Sequence, residues 1–122
     1  MNAKKELEVP NVEGKVVIWK MNYGTRQDLE GDIQTIEFDS MGKKKVKVDM
    51  KRAKILTLAY GIYSAESIGI PVYSDERMGL SESELAERIK VVRTLEKEVG
   101  EYLNEQINIL NTDSEKTDVK EE

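Results

Sequence analysis

Two groups of carboxylates are the first candidates for chemistry: Asp28, Glu30 and Asp32, and Glu82, Glu84 and Glu87. A working acid–base pair needs burial or a like-charged neighbour to hold its two pKa values apart. These acids fall instead in the first turns of expected helices, where negative charge is stabilised by the macrodipole. The 122 residues contain no histidine and no cysteine. The commonest general base, the commonest zinc ligands and any disulfide framework are therefore excluded. The glycine patterns of dinucleotide and triphosphate sites are missing, as is a calcium-loop array of acids. The expectation is a protein without catalytic residues, metal or cofactor.

A second cluster is basic. Lys43, Lys44, Lys45, Lys47, Lys51, Arg52 and Lys54 fall within twelve residues, with Asp49 the only acid among them. On a strand and the helix turn that follows, such a cluster can track phosphates, and a small nucleic-acid-binding regulator is one alternative reading. The stretch lacks the interleaved aromatics of single-strand binders, and the chain is acidic overall, with a net charge of −5. Lysines that guard an edge strand against unwanted pairing account for the same pattern.

The third set is apolar. Trp19, Tyr60, Tyr63, Ile68, Ile70, Val72 and Tyr73 are expected to form a contact surface for a protein partner. The central helix is apolar around most of its second half, and the loop IGIPVY at 68–73 is poorly explained as a solvated segment.

The elements that must position these groups follow from local pattern. Hydrophobic residues make up 39% of the chain and charged residues 35%, enough for one thin core. Residues 15–20 (KVVIWK) predict a strand, and Thr25 with Asp28 a capped helix over 26–30 stopped by Gly31. Residues 32–39 and 43–50 predict a hairpin around Ser40-Met41-Gly42, with Val46, Val48 and Met50 on a half-buried face. Asp49 caps an expected helix over 50–63. Residues 64–79 are expected as a loop, functional or mobile. Ser81 and Glu84 form a capping box opening one amphipathic helix to Leu110, longer than a small core covers, whose surplus predicts self-association through the 81–110 helix.

The fold class expected is α+β: a small antiparallel sheet of about three strands packed with a central helix and a long C-terminal amphipathic helix. Residues 15–110 form the single domain, flanked by a flexible segment 1–14 and an acidic flexible tail 111–122. No apolar run reaches the roughly 18–20 residues that span a bilayer, and no signal-peptide segment opens the chain.

The segment GKVVIWKMNYGTRQDL (residues 14–29) resembles the short tail assembly chaperones of long-tailed phages and related archaeal viruses. The shared features are a Trp-bearing strand, an apolar-x-aromatic-Gly turn at residues 21–24 and a polar helix start with Arg26. The order of a central helix, a variable loop and a closing helix ending near Asn111 is similar over residues 9–111. The resemblance implies a non-enzymatic protein of the host cytoplasm. It would coat a long, helical tape-measure-type client until tail-tube subunits assemble around it, and would be absent from the finished particle. A structural tail or joining subunit that stays in the virion is a further alternative.

Overall fold

The computed structural model describes residues 3–120. It is an α+β fold with two separate antiparallel sheets. Strand β2 (Val16–Trp19) lies at the centre of a three-stranded sheet in the order β1–β2–β5, with β1 at Lys4–Leu7 and β5 at Ile62–Ser64. Its β-branched sequence VVIW suits this place, and Val16, Ile18 and Trp19 are fully buried. Helix α1 (Tyr23–Ile33) leads into a two-stranded ribbon, β3 (Gln34–Phe38) with β4 (Lys44–Val48). Helix α2 (Met50–Gly61) follows and is packed by α1, by α3 (Glu82–Arg93) and by α4 (Lys97–Lys120).

Several local signals take the form the sequence predicts. Asp49 accepts a hydrogen bond from the Arg52 amide and caps α2. Ser81 and Glu84 complete their reciprocal capping box on α3. In the ribbon turn, Asp39 Oδ1 accepts from the amides of Met41 and Lys43, and Gly42 adopts φ +80°. That left-handed conformation is the one a short hairpin loop reserves for glycine.

Six expectations need correction. The segment 1–14 contributes β1, paired from Lys4 opposite Trp19 to Leu7 opposite Val16, and buries Leu7 and Val9. Helix α1 starts earlier and ends later than expected. Its cap is Asn22, whose Oδ1 accepts from the Thr25 amide, and Gly31 lies inside it. Residues 62–64 leave the expected central helix to form β5 against β2.

The long helix is two helices: Thr94 closes α3, its amide and hydroxyl both donating to the Val91 carbonyl, and α4 begins at Lys97. The apolar stripe expected to be surplus is buried within the chain, with Val92, Val99, Leu103 and Ile107 all in the core. Backbone helix continues through the expected acidic tail to Lys120. Lastly, Val46, Val48 and Met50 do not form a half-buried face. They are 54, 52 and 67% exposed, because the ribbon stands apart from the three-stranded sheet.

Asn111 closes the core from the far end of the chain. Its Oδ1 accepts from the Met21 amide at 2.8 Å, and its Nδ2 donates to the carbonyls of Trp19 and Ile107. Helix α4 is thereby tied to the end of β2.

Gly61 of α2 lies against Ile107 of α4. A Cβ placed there would lie 2.6 Å from Cγ2 of Ile107. Gly61→Ala is therefore expected to destabilise the fold by about 1–3 kcal/mol through overpacking, read as a lower urea midpoint at unchanged slope.

Candidate functional site

The aromatic residues expected as a contact surface converge, but inside the molecule. Trp19, Tyr60, Ile70 and Tyr73 are buried, Tyr63 and Ile68 are half-buried, and only Val72 is exposed. Trp19 and Tyr73 ring centroids lie 4.8 Å apart, and Tyr63 stacks on Tyr73 at 5.6 Å. The loop that carries Ile70 and Tyr73 is held down by paired backbone hydrogen bonds between Ala65 and Ile70. In this fold Trp19, Tyr60, Ile70 and Tyr73 are core residues and cannot serve as partner contacts.

Their polar atoms explain the burial. An α-helix leaves its last carbonyls without intrahelical donors, and α2 ends inside the protein. The Tyr60 carbonyl accepts from Trp19 Nε1 at 2.9 Å and from the Tyr73 hydroxyl at 2.5 Å. The Arg88 guanidinium donates to the carbonyls of Ala59, Ile62, Tyr63 and Pro71, and its carbon lies 4.3 Å over the Tyr73 ring. Burial pulls the Arg88 pKa below its usual range. Arg88 was missed from the sequence, although a signal exists: it occupies a position on the apolar stripe of Leu85, Ile89 and Val92.

Asp32 and Glu84 have structural partners. Asp32 accepts from the Tyr60 hydroxyl at 2.5 Å. Glu84 is held below the usual carboxylate range by hydrogen bonds from Ser81 and Ser74, which suits a helix cap. No cluster of three carboxylates converges on a cation position among the described residues.

All seven basic residues of the 43–54 cluster are exposed. The register divides them, however. Lys44 pairs opposite Phe38, on the same ribbon face as Val46, whereas Lys45 and Lys47 lie on the opposite face and flank Glu37. Lys47 forms an ion pair with Glu37 at 3.1 Å. This splits the charge rather than presenting one continuous phosphate track.

Among the described residues, two open apolar surfaces adjoin α2. The first is the ribbon face bearing Phe38, Val46 and Val48, continued at its base by Met50. The second is a groove of about 340 Å³ between α2 and the α3–α4 turn. Ile55, Leu58, Val92, Leu95 and Gly100 line it, and Lys54, Glu96 and Glu101 stand at its edge. Lys51, Lys54, Ile55 and Leu58 share one face of α2 by their spacing, so a single stripe runs from the ribbon base into the groove. Neither surface was read from the sequence, because both depend on the ribbon standing free and on the chain reversing at 94–96.

No helix among the described residues is long and apolar enough to cross a membrane. No family model, no curated protein and no solved structure matches this chain.

Two outcomes test the buried polar assembly. Arg88→Met should cost about 3 kcal/mol or more, since it strips a donor from several buried carbonyls at once. Arg88→Lys should recover only part of this, having one nitrogen where the guanidinium uses two. Both are read by denaturant unfolding.

Burial raises the pKa of Tyr60 and Tyr73 well above the ordinary tyrosine range, and the Asp32 carboxylate adds to the shift at Tyr60. A raised folded-state pKa favours the neutral hydroxyl in the fold. Its contribution is present below the unfolded value of about 10 and is lost as pH rises beyond it. Urea midpoints should therefore fall steeply above about pH 10, and Tyr60→Phe should flatten that fall.

Proposed function

We propose that this protein is a non-enzymatic assembly chaperone of the viral tail type, which holds a long, helical, tape-measure-type client through apolar surface until tail-tube subunits take over. The observation that carries the reading is the groove between α2 and the α3–α4 turn, apolar on its floor and charged at its edge. An amphipathic helix laid over it can insert one or two apolar side chains while its polar face stays in water. The resemblance of residues 14–29 to tail assembly chaperones supports the same assignment. Its place of action is the host cytoplasm, with the tube protein as a second partner, and it leaves before the particle is complete.

One observation favours a second reading, nucleic-acid binding: the register sets the exposed Phe38 beside Lys44, an aromatic next to a cation. The divided lysines and the acidic remainder of the chain make it the weaker of the two.

Gly100 separates function from stability. Its nearest neighbour for an added Cβ is Leu58 Cδ1 at an ordinary contact distance of 3.9 Å, so a Cβ is accommodated and a longer side chain extends into the groove that Gly100 lines. Gly100→Leu should raise stability by up to about 1 kcal/mol, through improved helix propensity. The same change should weaken capture of the client at least about tenfold, the equivalent of about 1.4 kcal/mol. The measurement is a nuclease-treated pull-down from the native system, read by mass spectrometry for a long helical protein, with thermal melts of both variants in parallel. Undiminished capture by Gly100→Leu would remove the groove from the mechanism. Recovery of nucleic acid alone, without nuclease, would replace the chaperone reading by the second one.

A further inference from the structure

The stripe that runs from the ribbon base into the groove has a length and a charge of its own. Met50, Lys51, Lys54, Ile55 and Leu58 share one face of α2 by their spacing, and residues 50–58 rise about 12 Å. The apolar ribbon face adds about 17 Å over its five paired positions. Phe38 is 70% exposed and Met50 67%, with Val46 and Val48 both above half. End to end, the two offer about 30 Å of open apolar surface, which a helix covers in about 20 residues. A two-stranded ribbon is marginal in water by itself, and such a helix supplies its missing layer.

The charge along this path is set by the register. Lys44 is the only charged residue on the apolar ribbon face, because Lys45 and Lys47 project from the other, where Lys47 pairs with Glu37. Asp49, at the ribbon base, is engaged by the Arg52 amide as the cap of α2. Lys51 and Lys54 stand exposed beside the apolar residues of α2. Acids border the path only at the far wall of the groove, where Glu96 and Glu101 line it together with Lys97.

A second copy of this chain does not supply the matching helix. Among the described residues, no helix exposes more than one large apolar side chain: Tyr23 on α1, Met50 on α2 and Ile109 on α4.

We infer that the segment held by this protein is an acidic amphipathic helix of about 20 residues from a different chain. Its apolar stripe runs from the groove along α2 and onto Phe38, Val46 and Val48. Carboxylates beside that stripe lie opposite Lys54, Lys51 and Lys44 in turn. A basic side chain is favoured only at the groove end, opposite Glu96 and Glu101. The inference rests on the client reading and specifies which helical segments of a client are held.

Two labelled synthetic helical peptides of about 20 residues test it by fluorescence anisotropy on the full chain. Both carry the same leucine stripe, flanked by glutamates in one and by lysines in the other. The glutamate peptide should bind at least about tenfold more tightly, although a net charge of −5 would by itself attract the lysine peptide. Lys51→Glu with Lys54→Glu should cancel that preference. Val46→Asp and, separately, Phe38→Ser should each weaken the glutamate peptide at least about fivefold, with unchanged far-UV circular dichroism. Equal affinity for the two peptides, or full affinity in both ribbon variants, would overturn the inference. The groove reading would survive either result if Gly100→Leu still weakened both peptides. Peptide affinity untouched by Gly100→Leu would remove the groove reading itself. A glutamate peptide that fails to bind would also overturn the inference, and the loss or retention of client by Gly100→Leu in the pull-down would then decide the groove reading alone.

Discussion

The fold depends on how the C-terminus of α2 is satisfied. This helix ends in the interior and passes at once into β5, where no water reaches its last carbonyls. Buried acceptors of this kind cost more to leave unpaired than a hydrogen bond contributes when made. Donors are drawn from three distant places: the indole of Trp19, the hydroxyl of Tyr73, and the guanidinium of Arg88. Each must bring its own element into register. Strand β2, the loop after β5 and helix α3 are all positioned around one helix end. Trp19 and Tyr73 are thereby committed to the interior, since together they fill the Tyr60 carbonyl.

What this commitment leaves outside is informative. The three-stranded sheet, α2, α3 and α4 consume most of the long apolar side chains. Part of the remainder lies on the ribbon and part in the groove, both adjoining the same face of α2, while Tyr23, Val72, Met78 and Ile109 are exposed elsewhere. The two differ in kind. The groove is concave, edged by both signs of charge, and shaped for a side chain from a helix. The ribbon projects, with Lys44 on its apolar face and Lys45 and Lys47 on the other.

Legibility from sequence followed the range of the interactions. Strand β2, the hairpin turn, the Asp49 cap and the Ser81 capping box rest on neighbours a few residues apart, and all were readable. Strand β5 was not, because a short apolar run reads equally as the end of a buried helix, and only pairing with β2 decides. The break at 94–96 was hidden because Val92, Leu95 and Val99 keep a helical rhythm across it. Strand β1 has few apolar residues and owes its order to β2. The site residues failed for a related reason: apolar character was read as surface available for a partner, whereas Trp19, Tyr60 and Tyr73 carry polar atoms that the interior requires. Arg88 and Asn111 were the missed signals, each a polar residue in an apolar stripe, which marks a buried acceptor or donor awaiting a partner.

The Asn111 clamp has a consequence for how the molecule is made. It links Met21 and Trp19 to a side chain some ninety positions later, the kind of distant closure that slows folding. As the chain is synthesised, the end of β2 waits with an amide and a carbonyl unfilled until nearly the whole sequence exists. The chain thus passes through a stage in which its tryptophan strand is unsealed. The turn of α4 that carries Asn111 is then the step that seals strand β2.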